Sequence, residues 1–407
     1  MKIALVAFPI HPSHGCILQT FALRQILCQA GHDVTIIDRQ WDRPKLISLC
    51  KERLKCLYKK MTNQPAYLKT YAQQILMSQL FSFIDTQLPN RKIYYKNPTF
   101  NDFLDFDAFI VGSDQTWRPK YVSDITCYYL GFVPKEARVK RIAYAPSFGT
   151  EDWEYSSELT AFCRELIQRF DAVSVREESG VQLCREHYGI DATHVLDPTM
   201  LLDKSDYLKT TGVELKENDI LSYYLLDNSE SKISLVNKIC GELHLKSQRV
   251  NTETENSAAL LSERIAPSIE KWIAGFAHSK FIIADSFHAM VFAILFNKPF
   301  LIIANPHRGL ARFESILKKL GLESRMVFYP ENVSTDILCK SIDWTSVNMK
   351  LQEERIKSKQ FIMNALNLSK NIAQGGKYTI SIVCFATSQT SKMYYLKQDS
   401  LWSSMVA

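Results

Sequence analysis

The sequence predicts an α/β protein made of two Rossmann-like halves, each built on a parallel sheet. Three observations predict it. Residues 2–38 run from an apolar stretch through a helical stretch to a second apolar stretch, as in a β-loop-α-β unit. Between 107 and 201, four more apolar stretches each end in a short polar loop. A second alternation of apolar and helical stretches begins near 219. The length of 407 residues agrees, because about 100–200 residues is usual for one domain.

In the first unit, KIALVAF (2–8) reads as a buried strand and PIHPSHG as a loop. CILQTFALRQILCQA carries apolar residues at helical spacing, and Gly31 stands where a C′ glycine ends a helix. DVTIID (33–38) is the second strand. The loop holds one glycine, Gly15, where a dinucleotide fingerprint needs three, so Asp38 is not expected to bind a ribose. Residues 42–100 are rich in Lys, Tyr, Leu and Gln with little strand character, and read as a helical or irregular insertion. The next four strands finish at Gly112-Ser113-Asp114, Ser147-Phe148-Gly149, Arg176 and Asp197-Pro198. In open parallel sheets, ligands bind outside such carboxyl ends.

The second half reads as a strand in DILSYYLLD (219–227), a helix over 229–244 and a strand near 248. KWIAGFAHS is a helix, KFIIADSFHAMVFAILFN a strand followed by a helix, and PFLIIAN (299–305) a strand. The expected organisation is an N-terminal domain over 1–205, a C-terminal domain over 206–344, a long helix over 345–372 and a tail over 373–407. In the tail, Gly375-Gly376 breaks the helix, and YTISIVCFA has no obvious partner strand.

Hydrophobic residues are 46% and charged residues 23%, ordinary for a soluble globular chain. A net charge of +6 suits an anionic ligand, and without any block of five or six like charges it does not argue for nucleic acid. Ten cysteines are scattered without CxxC or Cys/His metal spacing and read mostly as reduced core thiols. The N-terminal MKIALVAFPIHP is a poor signal peptide, and no stretch reaches the roughly 18 apolar residues of a membrane span. A cytoplasmic protein with at most peripheral membrane contact is expected.

Six motifs fall in one order: GSDQTW (112–117), YAPSFG (144–149), SVREESG (174–180), VLDPTMLL (195–202), ADSFHAMVFAILFNKPF (284–300) and RGLARFESILKKLGLESR (308–325). Together with the opening HGCILQTFALRQILCQAGHDVTIID they resemble the polysaccharide pyruvyl transferase family, over roughly residues 1–370. The resemblance implies a GT-B-like fold, with two Rossmann-like domains around a central cleft. It implies transfer of pyruvate from phosphoenolpyruvate onto two hydroxyls of a sugar, forming a ketal in a surface-polysaccharide precursor that can be lipid-linked. The family's first loop usually carries Asn and Tyr before its glycine, whereas this chain has Pro12-Ser13-His14-Gly15. Two alternatives share the fold: a glycosyltransferase using a nucleotide sugar, and a binding relative without catalysis.

Such a reaction needs an acid near the methylene carbon and fixed cations for a carboxylate and a phosphate, and in principle no metal or other cofactor. His288 is the candidate acid, in the first turn of a helix that Asp285 or Ser286 caps, and this helix start, Asp285 and Ser286 included, is expected to bind the donor. The other reading of His288 is a core histidine bonded to Asp285. Arg176 ends a strand and is the candidate fork for the donor, against an ion pair with Glu177 or Glu178. Arg312 and Arg308 are further anion candidates, and Ser147 and Gly149 are expected to offer amides to the donor. Asp114 is expected to accept a proton and Ser113 to bind sugar hydroxyls, with turn capping as the alternative. Trp117, His14 and Gly15 complete the acceptor candidates: Trp117 by stacking on a sugar ring, the other two from the first loop.

Overall fold

The computed structural model describes residues 1–42, 46–62, 69–254, 256, 258–305, 309–334 and 336–367. Its first sheet contains β1 (Lys2–Ala7), β2 (Asp33–Arg39), β3 (Arg91–Tyr94), β4 (Ala108–Val111), β5 (Lys140–Ala143), β6 (Ala172–Val175) and β7 (Thr193–His194). All pairs are parallel, in the order β3-β2-β1-β4-β5-β6-β7, with Lys2 opposite Asp33 and Ile3 opposite Ala108. The second sheet contains β8 (Ile220–Tyr224), β9 (Lys246–Arg249), β10 (Phe281–Ala284), β11 (Phe300–Ile303) and β12 (Met326–Val327), in the order β12-β11-β10-β8-β9, again all parallel. The protein is thus α/β with two parallel sheets, the GT-B-like class.

Helices α1 (His14–Gln29), α2 (Leu46–Met61), α3 (Lys69–Leu76), α4 (Phe81–Gln87), α5 (Ser157–Ile167), α6 (Glu178–Leu183) and α7 (Lys204–Thr211) accompany the first sheet in sequence. α8 (Glu230–Leu243), α9 (Ile269–Ala277), α10 (Phe287–Leu295), α11 (Ala311–Leu320), α12 (Asp336–Cys339) and the long α13 (Trp344–Asn367) follow. The strands β4, β10 and β11 are buried along their whole length, which is why they read as unbroken apolar runs rather than alternations. The 42–100 insertion needs a correction. It is largely helical, but Arg91–Tyr94 adds an edge strand beside β2, where partly exposed Arg and Lys side chains hid it. The short β12 also went unseen, since two residues leave no readable period. Of the cysteines, Cys16, Cys127, Cys163 and Cys184 are buried, whereas Cys50 is exposed and is no core thiol. The tail after 367 and Arg308 lie outside the described residues.

Each sheet has one point where the strand order reverses, between β1 and β4 and between β8 and β10. Crevices that hold ligands open at the carboxyl ends of such strand pairs. One hydrophobic cluster runs from the first sheet (Leu5, Ile36) through α10 (Val291, Phe292, Ile294) to the second sheet (Ile282, Ile302) and α13 (Leu351, Ile362). Eight of the nine residues of α10 are buried, as expected for a helix apolar on every side. Each large apolar side chain buried there contributes about 1.5–3 kcal/mol, so the start of α10 is held firmly.

His14 proves to be part of this packing and not a residue of a surface loop. It is the first residue of α1, after the N-cap Ser13, and is 4% exposed. Its ring stacks on Trp272 of α9, with centroids 5.3 Å apart and planes at 7°, and Nε2 donates to the Pro267 carbonyl at 2.7 Å. Burial drives the imidazole pKa down to about 4. The folded value lies below the unfolded value of 6.5, so the unfolded chain takes up the proton first. Stability from this group is therefore complete above about pH 6.5 and falls as the pH drops towards 4. Between pH 7 and pH 5 the loss from His14 should be about 2 kcal/mol. In urea unfolding at the two pH values, His14→Gln should lose less stability than the wild type by about that amount; an equal loss in both proteins would clear His14 as the source.

Candidate active site

Four consecutive strands of the first sheet end at one place. After β4 comes Asp114, after β5 the segment Ala145–Gly149, after β6 Arg176 and Glu177, and after β7 Asp197. Asp114 (φ 82°) and Ala145 (φ 55°) both take left-handed backbone, a region that costs side-chain-bearing residues of order 1–3 kcal/mol. They are held by neighbours: Asp114 bridges to Pro146, and the Ser147 amide donates to the Asp114 carbonyl at 2.8 Å. Across the cleft, the N-terminus of α10 brings Phe287 and His288, and α11 brings Arg312.

Asp197 is the hub. Its Oδ2 accepts from Arg176 Nη1 at 2.7 Å and from Gln19 Nε2 at 3.0 Å, and its Oδ1 accepts from the Thr199 amide at 2.9 Å and the Thr199 hydroxyl at 2.5 Å. His288 Nε2 lies 3.8 Å from Oδ2, too far for a hydrogen bond, and Gln19 Nε2 stands 2.5 Å from the same ring nitrogen. Burial alone would raise the Asp197 pKa, but His288 and the Arg176 guanidinium hold it well below the usual carboxylate range. The carboxylate is anchored from behind by α13. Ser358 Oγ accepts the Leu196 amide at 2.9 Å, and Arg355 donates to the carbonyls of Met200 and Leu202 at 2.8 and 3.1 Å.

Arg176 is 4% exposed and lies 4.9 Å over the Phe287 ring. Its Nη1 is taken by Asp197, and Nη2 is 3.7 Å from Asp114 Oδ1. Nε and Nη2 are buried without a hydrogen-bond partner among the described residues. Arg312 lies 5.5 Å over the same ring, with its pKa lowered to about 10 by burial and by the neighbouring Arg176 charge. Two guanidinium groups, an imidazole and a carboxylate thus meet at the strand ends, where an anion of several oxygens can be held.

The polysaccharide pyruvyl transferase family model matches residues 14–307. The chain belongs to the polysaccharide pyruvyl transferase family. It is therefore a transferase of polysaccharide modification. Arg312 and α13 lie beyond the matched segment. No curated protein matches the chain. Among solved structures it is similar to the UDP-GlcNAc 2-epimerase of Methanocaldococcus jannaschii, at 12% identity, covering 91% of this chain and 100% of that one with a TM-score of 0.45. It is likewise similar to the UDP-GlcNAc 2-epimerase of Neisseria meningitidis (12% identity, 90% and 98% covered, TM-score 0.43) and to a glycosyltransferase from Rickettsia africae (12%, 90% and 94%, 0.43). Among the described residues, no helix is long and apolar enough to cross a membrane.

In this pyruvyl transferase several site residues expected from the sequence do other work. The Gly149 amide donates to Ser147 Oγ at 3.0 Å and to Glu177 Oε1 at 3.2 Å, and the Ser147 amide is taken by Asp114, so neither is open to a donor. Gly149 has φ 73°, and a Cβ there would meet the Gln115 side chain at 2.0 Å, which explains the glycine. Asp285 does not cap α10. Its oxygens accept the amides of Leu226 (2.7 Å) and Asp227 (3.3 Å) and pair with Lys232 at 2.7 Å. Ser286 is the N-cap, and its side chain makes no capping bond. Trp117 is fully buried, donates to the Tyr128 carbonyl at 2.9 Å and stacks on Tyr129, so it cannot stack on a sugar. Ser113 stays close to the site, its buried hydroxyl without a partner among the described residues.

Asp197, Gln19 and Glu177 were missed as site residues. Asp197 carried the signal that singled out Arg176, a polar residue at a strand's carboxyl end. Gln19 sits one helical turn after Gly15, on the same face of the helix and within its buried first half. Gly15 serves the imidazole: a Cβ there would lie 2.0 Å from His288 Nδ1 and 2.4 Å from Cγ, so the absent side chain makes room for the ring. Gly15→Ala should therefore push His288 out of place. Turnover should fall at least tenfold and the melting temperature should drop modestly, because displacing the packed ring costs about 1–3 kcal/mol and outweighs the gain of about 0.5–1 kcal/mol from alanine over glycine in a helix. Normal turnover in this variant would mean that the ring has room to move.

Proposed function

We propose that this pyruvyl transferase takes phosphoenolpyruvate as donor and forms a cyclic ketal on two hydroxyls of a sugar, in a precursor of a surface polysaccharide. The carrying observation is Arg176, a buried guanidinium with Nε and Nη2 unmatched beside His288 and Asp114. A buried N–H without an acceptor is costly, at about 1–3 kcal/mol, and a bound carboxylate or phosphate would remove that cost with two parallel bonds. Arg312, over the same Phe287 ring, adds a second positive group for a ligand that carries both anions.

The chemistry follows from the groups present. The methylene carbon takes a proton, and the first sugar hydroxyl adds at C2 and gives up its own. Phosphate then leaves with the C–O bonding pair, the second hydroxyl adds, and its proton is released as the ring closes. His288 supplies the first proton. Asp114, whose Oδ1 accepts the Gln115 amide at 2.8 Å, keeps Oδ2 without a hydrogen-bond donor among the described residues and accepts a hydroxyl proton there. Gln19 Nε2 donates to Asp197 Oδ2 and lies 2.5 Å from His288 Nε2, which suits a ring whose Nε2 accepts and whose proton sits on Nδ1.

Binding constants for phosphoenolpyruvate and for UDP-sugars, followed by phosphate release in the presence of sugar acceptors, test the reading. Tight UDP-sugar binding without phosphoenolpyruvate binding would overturn it. His288→Ala should lower turnover by about 10²–10⁴ with little change in melting temperature. A variant that melts early yet turns over normally would make His288 a packing residue. Arg176→Lys keeps the charge and loses the fork, so phosphoenolpyruvate binding should weaken by about 1–3 kcal/mol. Unchanged affinity with a lowered melting temperature would confine Arg176 to its ion pair with Asp197.

A further inference from the structure

A second cavity, of about 120 Å³, opens at the carboxyl ends of β8, β9 and β10, at the reversal point of the second sheet. Its walls include Ser13, Tyr224, Asn251, Thr252, Thr254 and Ser286. The charges around it are matched internally. Arg249 pairs with Glu253, whose oxygens also accept from Asn228 at 3.0 Å and Asn256 at 3.2 Å. His14, which also lines it, is held neutral by burial around pH 7. Apart from the matched Arg249–Glu253 ion pair, the lining is neutral and forms hydrogen bonds. The Thr252 and Thr254 hydroxyls are 2.8 Å apart, so one donates to the other and the second keeps a proton to give. The Ser286 side chain makes no cap bond.

The first turn of α10 borders both this space and the arginines. Ser286 lines the cavity, Phe287 packs under Arg176 and Arg312, and His288 stands between the helices α10 and α1. An anionic donor belongs with the unmatched guanidinium, whereas a neutral ligand rich in hydroxyls fits the matched, hydroxyl-lined side. We infer that this cavity is the acceptor subsite and takes a neutral hexopyranose residue of the glycan. The inference rests on the pyruvyl-transfer reading for the word acceptor, but the binding itself needs no phosphoenolpyruvate.

The test uses the full chain and a set of p-nitrophenyl hexopyranosides of the galacto, gluco and manno series, read by saturation-transfer NMR. At least one glycoside should bind the wild type. The double variant Thr254→Val, Ser286→Ala should weaken it tenfold or more, with phosphoenolpyruvate affinity within twofold and the melting temperature unchanged. Arg176→Ala should do the reverse, weakening phosphoenolpyruvate and sparing the glycoside. Equal glycoside binding by the double variant, or no binding by the wild type to any member of the set, overturns the inference. So does UDP that binds more tightly than the glycosides and is weakened by the same double variant, which would give the cavity to a nucleotide. Glycoside binding as expected, in a wild type that ignores phosphoenolpyruvate, would sink the donor assignment and leave the sugar subsite standing.

Discussion

The buried pair of Arg176 and Asp197 is the interaction on which the site depends. Taking both ions out of water costs several kcal/mol each, and their attraction offsets this only with good geometry and satisfied remaining lone pairs. Asp197 meets that condition through Gln19 and through the amide and hydroxyl of Thr199. Arg176 does not, since only Nη1 has a close acceptor. The asymmetry is useful. A fully satisfied carboxylate fixes the guanidinium in place, and an incompletely satisfied guanidinium is left with two N–H directions for a ligand.

The same carboxylate ties the two halves together. Gln19 of α1 spans from Asp197 to His288, so the imidazole of one half is oriented by a helix of the other. Gly15, one turn earlier, lets the ring approach, and His14, beside it, locks α1 onto α9 through Trp272 and Pro267. Three nearby residues of one helix start thus set the distance between the halves at the place where chemistry is expected. α13 supports the arrangement from outside by holding the 196–202 backbone with Ser358 and Arg355.

Charge is segregated across this seam. The Arg176 guanidinium, with two nitrogens unmatched among the described residues, and Arg312, whose charge burial and Arg176 disfavour, lie at the ends of the first sheet and the start of α11, while the second sheet's crevice pairs its own ions and presents hydroxyls and amides. The left-handed backbone at Asp114 and Ala145 belongs to the first side, where it aims adjacent strand ends at one point. Such conformations persist only where neighbours over-determine them, as the Glu177 carboxylate does by binding the Phe148 and Gly149 amides at 2.7 and 3.2 Å.

By itself the sequence determined the α/β class, nearly every strand of the two sheets, the long last helix, and the placing of Arg176 at a strand's end and of His288 in the helix turn that follows one. Period and composition are local, and burial on both faces of β4, β10 and β11 writes itself directly into unbroken apolar runs. The tertiary structure alone decided who partners whom. Gln19 meets Asp197 across 178 residues and His288 across 269, separations over which no pattern of spacing survives. Trp117 looks the same in sequence whether it awaits a sugar or fills a core, and Asp285 looks like a helix cap until Leu226 and Lys232 claim its oxygens. A polar side chain's role is set by whichever donor or acceptor the fold carries to it, and that is a property of three-dimensional neighbours rather than of the chain's order.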